Sequence, residues 1–270
     1  MDGVEGLTVK SAAGAGEVAP EPYTRPDLYE LIFARYDADL PFWLAFAREG
    51  GPGAVLDLCC GTGRVLLPLL EAGLEVDGVD LYPEMLEQAR AKCAARGFTP
   101  RLLAADMRGF ATGRRYATIV IPFNAFAHNL TTDDQLATLE RCVAHLEPGG
   151  RLAFDVFTAT AAMLAEPEAA PVLEMEIERD DGDRIQLWDG RRLDPAAQIQ
   201  HSAIEVHEVG RDGAIVARHR FGTRVRWVTV TELDHVLRRA GFTRREVWGG
   251  TGRGPITADT SLLTAIAGRD

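Results

Sequence analysis

The stretch Val55-Leu-Asp-Leu-Cys-Cys-Gly-Thr-Gly-Arg-Val65 constrains this chain more than any other. An apolar run bounded by turn glycines reads as a buried strand, here Ala54 to Leu58. A tight turn through Gly61 and Gly63 follows, then a helix to about Glu71. The two glycines reach backbone angles closed to other residues and, lacking Cβ, let a ligand approach the main chain. The helix then directs unpaired N–H groups at that ligand. This is the architecture of a nucleotide site, but not of a nicotinamide site, because the dinucleotide pattern needs a third glycine where Leu66 stands. Asp57 is a carboxylate near the strand end. It would repel a pyrophosphate and suits a cationic or zwitterionic ligand.

Three further landmarks follow in order: Gly78-Val79-Asp80, Ala105-Asp106-Met107 and Leu146-Glu-Pro-Gly-Gly-Arg151. With the glycine turn they resemble the motif set of the class I methyltransferases that use S-adenosylmethionine (SAM). The resemblance is close over 54–157 and looser over 229–268. It implies an α/β fold, a Rossmann-like seven-stranded doubly wound sheet. It also implies SAM as cofactor, with S-adenosylhomocysteine as product.

The resemblance further implies roles for individual residues. Asp57, Cys59, Gly61 and Gly63 would bind the cofactor, and Tyr29 would lie near its methionine end. Asp80 lies 17 residues beyond Gly63, near the ~20 expected of a ribose-binding acid, and can accept from both hydroxyls. Its alternative is a surface aspartate capping the next helix. Leu81 and Met85 would flank the adenine, unless Met85 is helix core. Asp106 would accept from the adenine amine, with Met107 donating its backbone N–H; the alternative for Asp106 is a turn aspartate. Pro122 and Asn124 belong to the loop after the fourth strand, where the acceptor should meet the methyl group.

Composition narrows the partners. The chain has 270 residues, 46% of them hydrophobic, enough for one large α/β domain. A net charge of −11 disfavours a nucleic-acid partner. No apolar run reaches membrane-spanning length, and the start lacks a signal pattern. The four cysteines show no metal spacing, so no metal is expected. A cytoplasmic monomer or homodimer is the resulting expectation, and the resemblance of the N-terminal helix and the 122–129 loop to small-molecule methyltransferases implies a small-molecule acceptor.

Residues 1–22 read as a flexible tail. Residues 23–157 read as cap helices followed by the SAM-binding core. Leu28, Leu31, Ile32 and Arg35-Tyr36 have helical spacing, and Pro41 opens a second helix, Phe42 to Arg48. The aromatic residues here read as core anchors, Tyr23 included. Tyr29 is the exception, since the resemblance also places it over the cofactor. Strands are expected at 74–79, 100–105, 116–121 and 151–157. From 172 to 228 the period becomes two, with turns at 180–183 and 211–213. This predicts about four antiparallel strands inserted after the fifth strand, so that 158–228 forms an acceptor lid and 229–270 completes the core. Glu174, Glu176 and Glu178 are expected to pair with Arg218, Arg220, Arg224 and Arg226 on the solvated face; the alternative is that the four arginines bind an anionic substrate, and their alternation favours the pairing. Gly249 to Gly254 reads as a mobile connection.

The expected activity is methyl transfer to a small molecule, first to an amine, with a hydroxyl as runner-up. A non-methylating SAM-binding protein and another SAM displacement such as cyclisation stay open. Catalytic candidates are His128, Asn124 and Tyr29. His128 has an ordinary pKa near working pH and suits a general base, with a helix-start histidine as the alternative. Asn124 can orient an acceptor through its amide.

Overall fold

The computed structural model describes residues 21–33 and 36–269. Of the tail expected over 1–22, residues 1–20 lie outside the described residues, as does Arg35, while Pro22 proves to be packed rather than part of a tail. Pro22 is buried and opens a short 3-10 turn, Pro22–Thr24. Helix α1 (Pro26–Phe33) and helix α2 (Leu40–Glu49) follow. Prolines at the first turns fit, since those N–H groups have no helical partner.

The core alternates strands and helices: β1 (Val55–Leu58), α3 (Leu66–Glu71), β2 (Val76–Asp80), α4 (Pro83–Ala95), β3 (Leu102–Ala104), β4 (Tyr116–Ile121), α5 (Thr132–His145) and β5 (Leu146–Phe157). The inserted segment holds α6 (Ala161–Ala165), β6 (Glu168–Glu178), β7 (Arg184–Asp194), β8 (Ile199–Val209) and β9 (Ile215–Arg226). Helix α7 (Val230–Arg239), β10 (Arg244–Gly249) and β11 (Leu262–Gly268) close the chain.

The seven-stranded sheet runs β10-β11-β5-β4-β1-β2-β3. Only β11 is antiparallel to its neighbours. β1 and β4 are buried along their length, as parallel strands covered on both faces must be. One face packs α5 and α7 over Leu56, Leu58 and Phe154; the other packs α2 and α3 over Val55 and Val120. The doubly wound sheet with an antiparallel insertion after the fifth strand is therefore the observed fold.

The inserted strands form their own sheet, ordered β6-β7-β8-β9. This order corrects the expected pairing of charges. β6 and β9 are opposite edges with two strands between them, each step close to 4.8 Å, so their Glu and Arg rows never meet. Glu176 instead faces Arg184 at 3.6 Å, and Arg220 reaches Glu205 at 3.0 Å. The glycine connection is also tied down: Gly249 N–H donates to Gly254 O at 2.9 Å, and the Arg253 guanidinium lies over the Phe42 ring.

Helix α1 joins the two sheets. Leu28 and Ile32 pack with Ile177, Ile185, Leu187, Val206 and Phe221 on the inner face of the insert. Its other side carries Tyr29 and Phe33, whose rings meet Tyr23 and Phe123. A few apolar residues on one short helix thus set the insert against the mouth of the core.

Candidate functional site

The site lies where β1 ends. Cys59, Gly61 and Gly63 all have positive φ, of 65°, 54° and 83°. Those angles cost a side-chain-bearing residue energy, and glycine little. In the turn they make, Gly61 N–H donates to Asp80 and Gly63 N–H to Cys60 O at 2.9 Å, and Asp57 lines the same cavity as Gly61. Both carboxylate oxygens of Asp57 are buried with no hydrogen-bond partner. Burial pushes its carboxyl up to about 8, against the pull of Arg64 and of the Leu66 amide, whose approach is too poor to count as a full hydrogen bond. A buried carboxyl without partners is costly unless a ligand completes it.

Asp80, at the end of β2, accepts from Gly61 N–H at 2.7 Å and from Tyr82 N–H at 3.0 Å. These bonds fix the turn to the second strand. Each oxygen keeps a further lone pair for a hydroxyl. Burial raises the Asp80 pKa while the Tyr82, Gly61 and Leu81 amides hold it down.

A cavity of about 30 Å³ is bounded by Tyr29, Asp57, Cys59, Cys60, Gly61, Thr62, Arg64, Val65, Pro122 and Phe123. Aromatic rings close it. Tyr23 sits 5.9 Å from Tyr29, 5.4 Å from Tyr82 and 5.4 Å from His128, measured between ring centroids. Tyr23 Oη and His128 Nε2 are 2.8 Å apart. Burial raises the Tyr23 pKa well above its ordinary value and lowers that of His128. A phenol held neutral donates, so Nε2 accepts and the imidazole proton resides on Nδ1.

The predicted residues divide into groups. Tyr29, Asp57, Cys59, Gly61 and Pro122 meet at the cavity. Gly63 and Asp80 frame the turn, and Met85 packs beneath it, where a Cβ on Gly61 would sit 3.5 Å from Met85 Cε. Met85 is 2% exposed, which favours the helix-core reading, whereas Leu81 is 52% exposed. Met107 reaches the turn through sulfur, 3.8 Å from Cys59 Sγ. Asp106 lies farther out and pairs with Arg108 at 2.5 Å, which holds its carboxyl below the usual range.

Asn124 is committed to the backbone. Its N–H donates to Asp155 at 2.6 Å and its Oδ1 accepts from Phe157 N–H at 2.6 Å. Phe123 and Asn124 both have φ of 60°. These bonds hold the pair in the left-handed region and place Phe123 over the cavity. Burial raises the Asp155 carboxyl to about 7, against the Asn124 amide.

Three residues escaped the sequence reading. Tyr23 was assigned to the core. Arg64 was read only as part of the turn, yet it makes a fork to Asp39 at 2.6 and 2.8 Å and lies 4.7 Å from the Phe123 ring centroid. Glu30 accepts from Thr62 Oγ1 and from Lys92 at 2.8 Å, tying α1 to the turn. The only signal for Arg64 was its place directly after Gly63. Among the described residues no group of acids, cysteines and histidines is gathered as a metal site, and no helix is long and apolar enough to cross a membrane.

Comparison with known proteins agrees with this geometry. Residues 55–150 match the family model described as a methyltransferase domain. An aminosugar N,N-dimethyltransferase of Streptomyces fradiae is 34% identical over 149 residues, covering 52% of this chain and 56% of that protein. A glycine/sarcosine N-methyltransferase of Halorhodospira halochloris is 31% identical over 124 residues, 45% of this chain and 46% of that one. The chain thus spans about half the length of the first curated relatives it matches. Similar architecture extends further. A SAM-dependent methyltransferase of Clostridium acetobutylicum superposes with a TM-score of 0.74 at 19% identity, covering 92% of this chain and 98% of the other. The sugar N-methyltransferase KedS8 of Streptoalloteichus gives 0.71 at 21% identity, covering 98% and 99%. Residues 55–150, which carry the glycine turn and Asp57, are thus similar to a methyltransferase domain, and the seven-stranded sheet gives the whole chain the fold of the SAM-dependent methyltransferases it superposes on.

Proposed function

We propose that this protein transfers a methyl group from SAM to the amine nitrogen of a small molecule. The observation that carries the reading is the unpaired buried carboxylate of Asp57 beside a glycine turn. A cationic, zwitterionic ligand would complete it. The donors and acceptors present fit SAM: Asp57 for its positive end, Asp80 for the ribose, the turn for close approach of the chain. Leu81 stands exposed beside Asp80 for the base, with Asp106 and Met107 farther along the same edge.

When bound, SAM supplies an electrophilic methyl group on a sulfonium. The residues of the chain do the rest. Tyr29, Phe123 and the neighbouring rings exclude water from the reacting atoms. Asn124 and Asp155 fix the loop against which the acceptor rests. The amine must be neutral to attack, and its nitrogen gains the methyl as it gives up a proton. His128, held neutral by burial, takes that proton at Nε2, passed through Tyr23 Oη as the phenol hands on its own. Proximity supplies most of the acceleration.

The inserted sheet, residues 168–226, serves as the acceptor lid over the mouth that α1 borders. Amine methylation is preferred to hydroxyl methylation because burial depresses the pKa of His128; a weak base of this kind suits an ammonium proton better than that of an alcohol. The named activities of the curated relatives, on aminosugars and on glycine or sarcosine, are of the same class. The test is incubation with SAM and a panel of small amines, followed by mass spectrometry. The expected result is S-adenosylhomocysteine together with an acceptor heavier by one methyl. S-adenosylhomocysteine without a methylated acceptor would favour another displacement.

A further inference from the structure

Asp189 Oδ1 and Arg191 Nε are both buried, and neither has a hydrogen-bond partner. The residues stand two positions apart on β7, so both side chains leave one face of the inserted sheet. It is the same face that sends Ile185 and Leu187 toward α1. Along the ladder, Asp189 lies opposite Ile204 and Arg191 opposite Ser202.

The position of the pair within that face is informative. On the side of the β6–β7 hairpin, Ile185 and Leu187 close under α1. On the side joined to the core, Leu193 and Val225 are buried, and Val225 belongs to the main core cluster. Asp189 and Arg191 therefore form a polar interval between two apolar clusters on one continuous surface. That surface packs on α1, whose other side carries Tyr29 to the cavity. Strand β9 of the same sheet packs against the turn that carries His128.

Unpaired buried polar groups are destabilising, and a charged group is more so. A direct pair between Oδ1 and Nε would relieve both, yet the two do not meet. Burial, then the neighbouring Glu174, raise the Asp189 carboxyl to about 6, while Arg191 pulls it down. The Ser202 hydroxyl, which accepts from Gln200 Nε2 at 2.9 Å, stands beside Arg191. The constellation offers an anion site and a hydroxyl or amine site two residues apart on one face of the inserted sheet.

We infer that Asp189 and Arg191 are the specificity-determining subsite for the acceptor, which must be an amine that also carries an anionic group. The Arg191 guanidinium takes the anion, a carboxylate or a phosphate, and Asp189 takes a hydroxyl or amine hydrogen next to it. A purely apolar or cationic amine would leave Arg191 unpaired and is discriminated against. This inference rests on the methyltransferase reading above.

The experiment is calorimetry on the full chain saturated with S-adenosylhomocysteine, titrated with sarcosine as a carboxylate source and with thymidine diphosphate as a phosphate source. Saturable binding of one of them is expected, and which one identifies the source of the anion. Arg191→Met should weaken that binding by at least about tenfold, as for a lost charge-assisted bond, with unchanged affinity for S-adenosylhomocysteine. Arg191→Lys, which keeps the charge and fills the space, should weaken it less, and it decides the matter if the methionine variant no longer holds S-adenosylhomocysteine. Unchanged anion binding in the variants overturns the inference, as does failure of both probes to bind a protein that does bind S-adenosylhomocysteine. Failure of the wild type to bind S-adenosylhomocysteine overturns the methyltransferase reading itself, and this inference with it.

Discussion

Tyr23 and His128 are 105 residues apart in sequence and 2.8 Å apart across the mouth of the site, Oη to Nε2. The bond couples the turn before α1 to the loop after β4, so the group that covers the site is also bound to the candidate base. Burial favours the neutral form of both partners.

That pairing predicts a shared kinetic effect. His128→Ala should reduce kcat by roughly 10²–10⁴-fold, and Tyr23→Phe should reduce it in the same direction. The double variant should fall short of the product of the two, because the residues act as one unit. The neutral imidazole is the active form. Activity should therefore be present at pH 7 and fall as the pH drops through a midpoint below 6.5, the ordinary value that burial lowers. Steady-state rates across pH 5 to 8 check this, and a product of independent effects would separate the two residues.

Asp57 predicts a proton-linked affinity. Its carboxyl titrates at about 8 in the ligand-free protein, and a cationic ligand favours the ionised form, so binding expels a proton. SAM affinity should rise with pH below about 8, by up to about tenfold per unit, and level off above it. Asp57→Asn should flatten that part of the profile and weaken binding. The sign for stability is opposite. A raised folded-state value means the contribution of this group is fully present below its unfolded value and lost as the pH rises through about 8. Without ligand, the wild type should lose thermal stability relative to Asp57→Asn as the pH is raised from 5 to 9.

Asp80 holds the Gly61 and Tyr82 amides and faces the ribose position. Asp80→Ala should weaken SAM by about 1.5–3 kcal/mol, as for lost bonds to a charged group. It should also lower protection of the Gly61 amide in hydrogen exchange, because that N–H loses its acceptor. Unchanged affinity in a folded variant would remove Asp80 from the cofactor site.

Away from the site, Thr229 makes a capping box at the start of α7, accepting from Glu232 N–H while Glu232 accepts from Thr229 N–H. Thr229→Ala should destabilise the protein by about 1 kcal/mol and leave SAM affinity alone. Chemical denaturation and calorimetry measure the two quantities separately.

Much of the site was legible because its parts are short. The turn after β1, the acid ending β2 and the proline-glycine stop after α5 are each written within about ten residues. Met85 marks where such reading runs out. Its place after Asp80 left an adenine contact and helix core both open, and its burial at 2% exposure favours the core. The charge rows failed for a similar reason. Alternation gave Glu and Arg correct faces within their strands, but nothing in either strand says that β7 and β8 come between them.

The sequence by itself determined the strand–turn–helix at Val55–Glu71, the order of the core elements and the presence of an inserted antiparallel sheet. Backbone preference and hydrophobic period act over a few neighbours and need no knowledge of the rest. The tertiary structure alone decided that Tyr23 meets His128, that Arg64 forks onto Asp39, that β11 enters antiparallel between β5 and β10, and that Asp189 Oδ1 and Arg191 Nε are buried without a partner. Those relationships depend on which apolar faces bury one another when the whole chain closes. That balance of burial is summed over residues far apart in sequence, and no local window contains it.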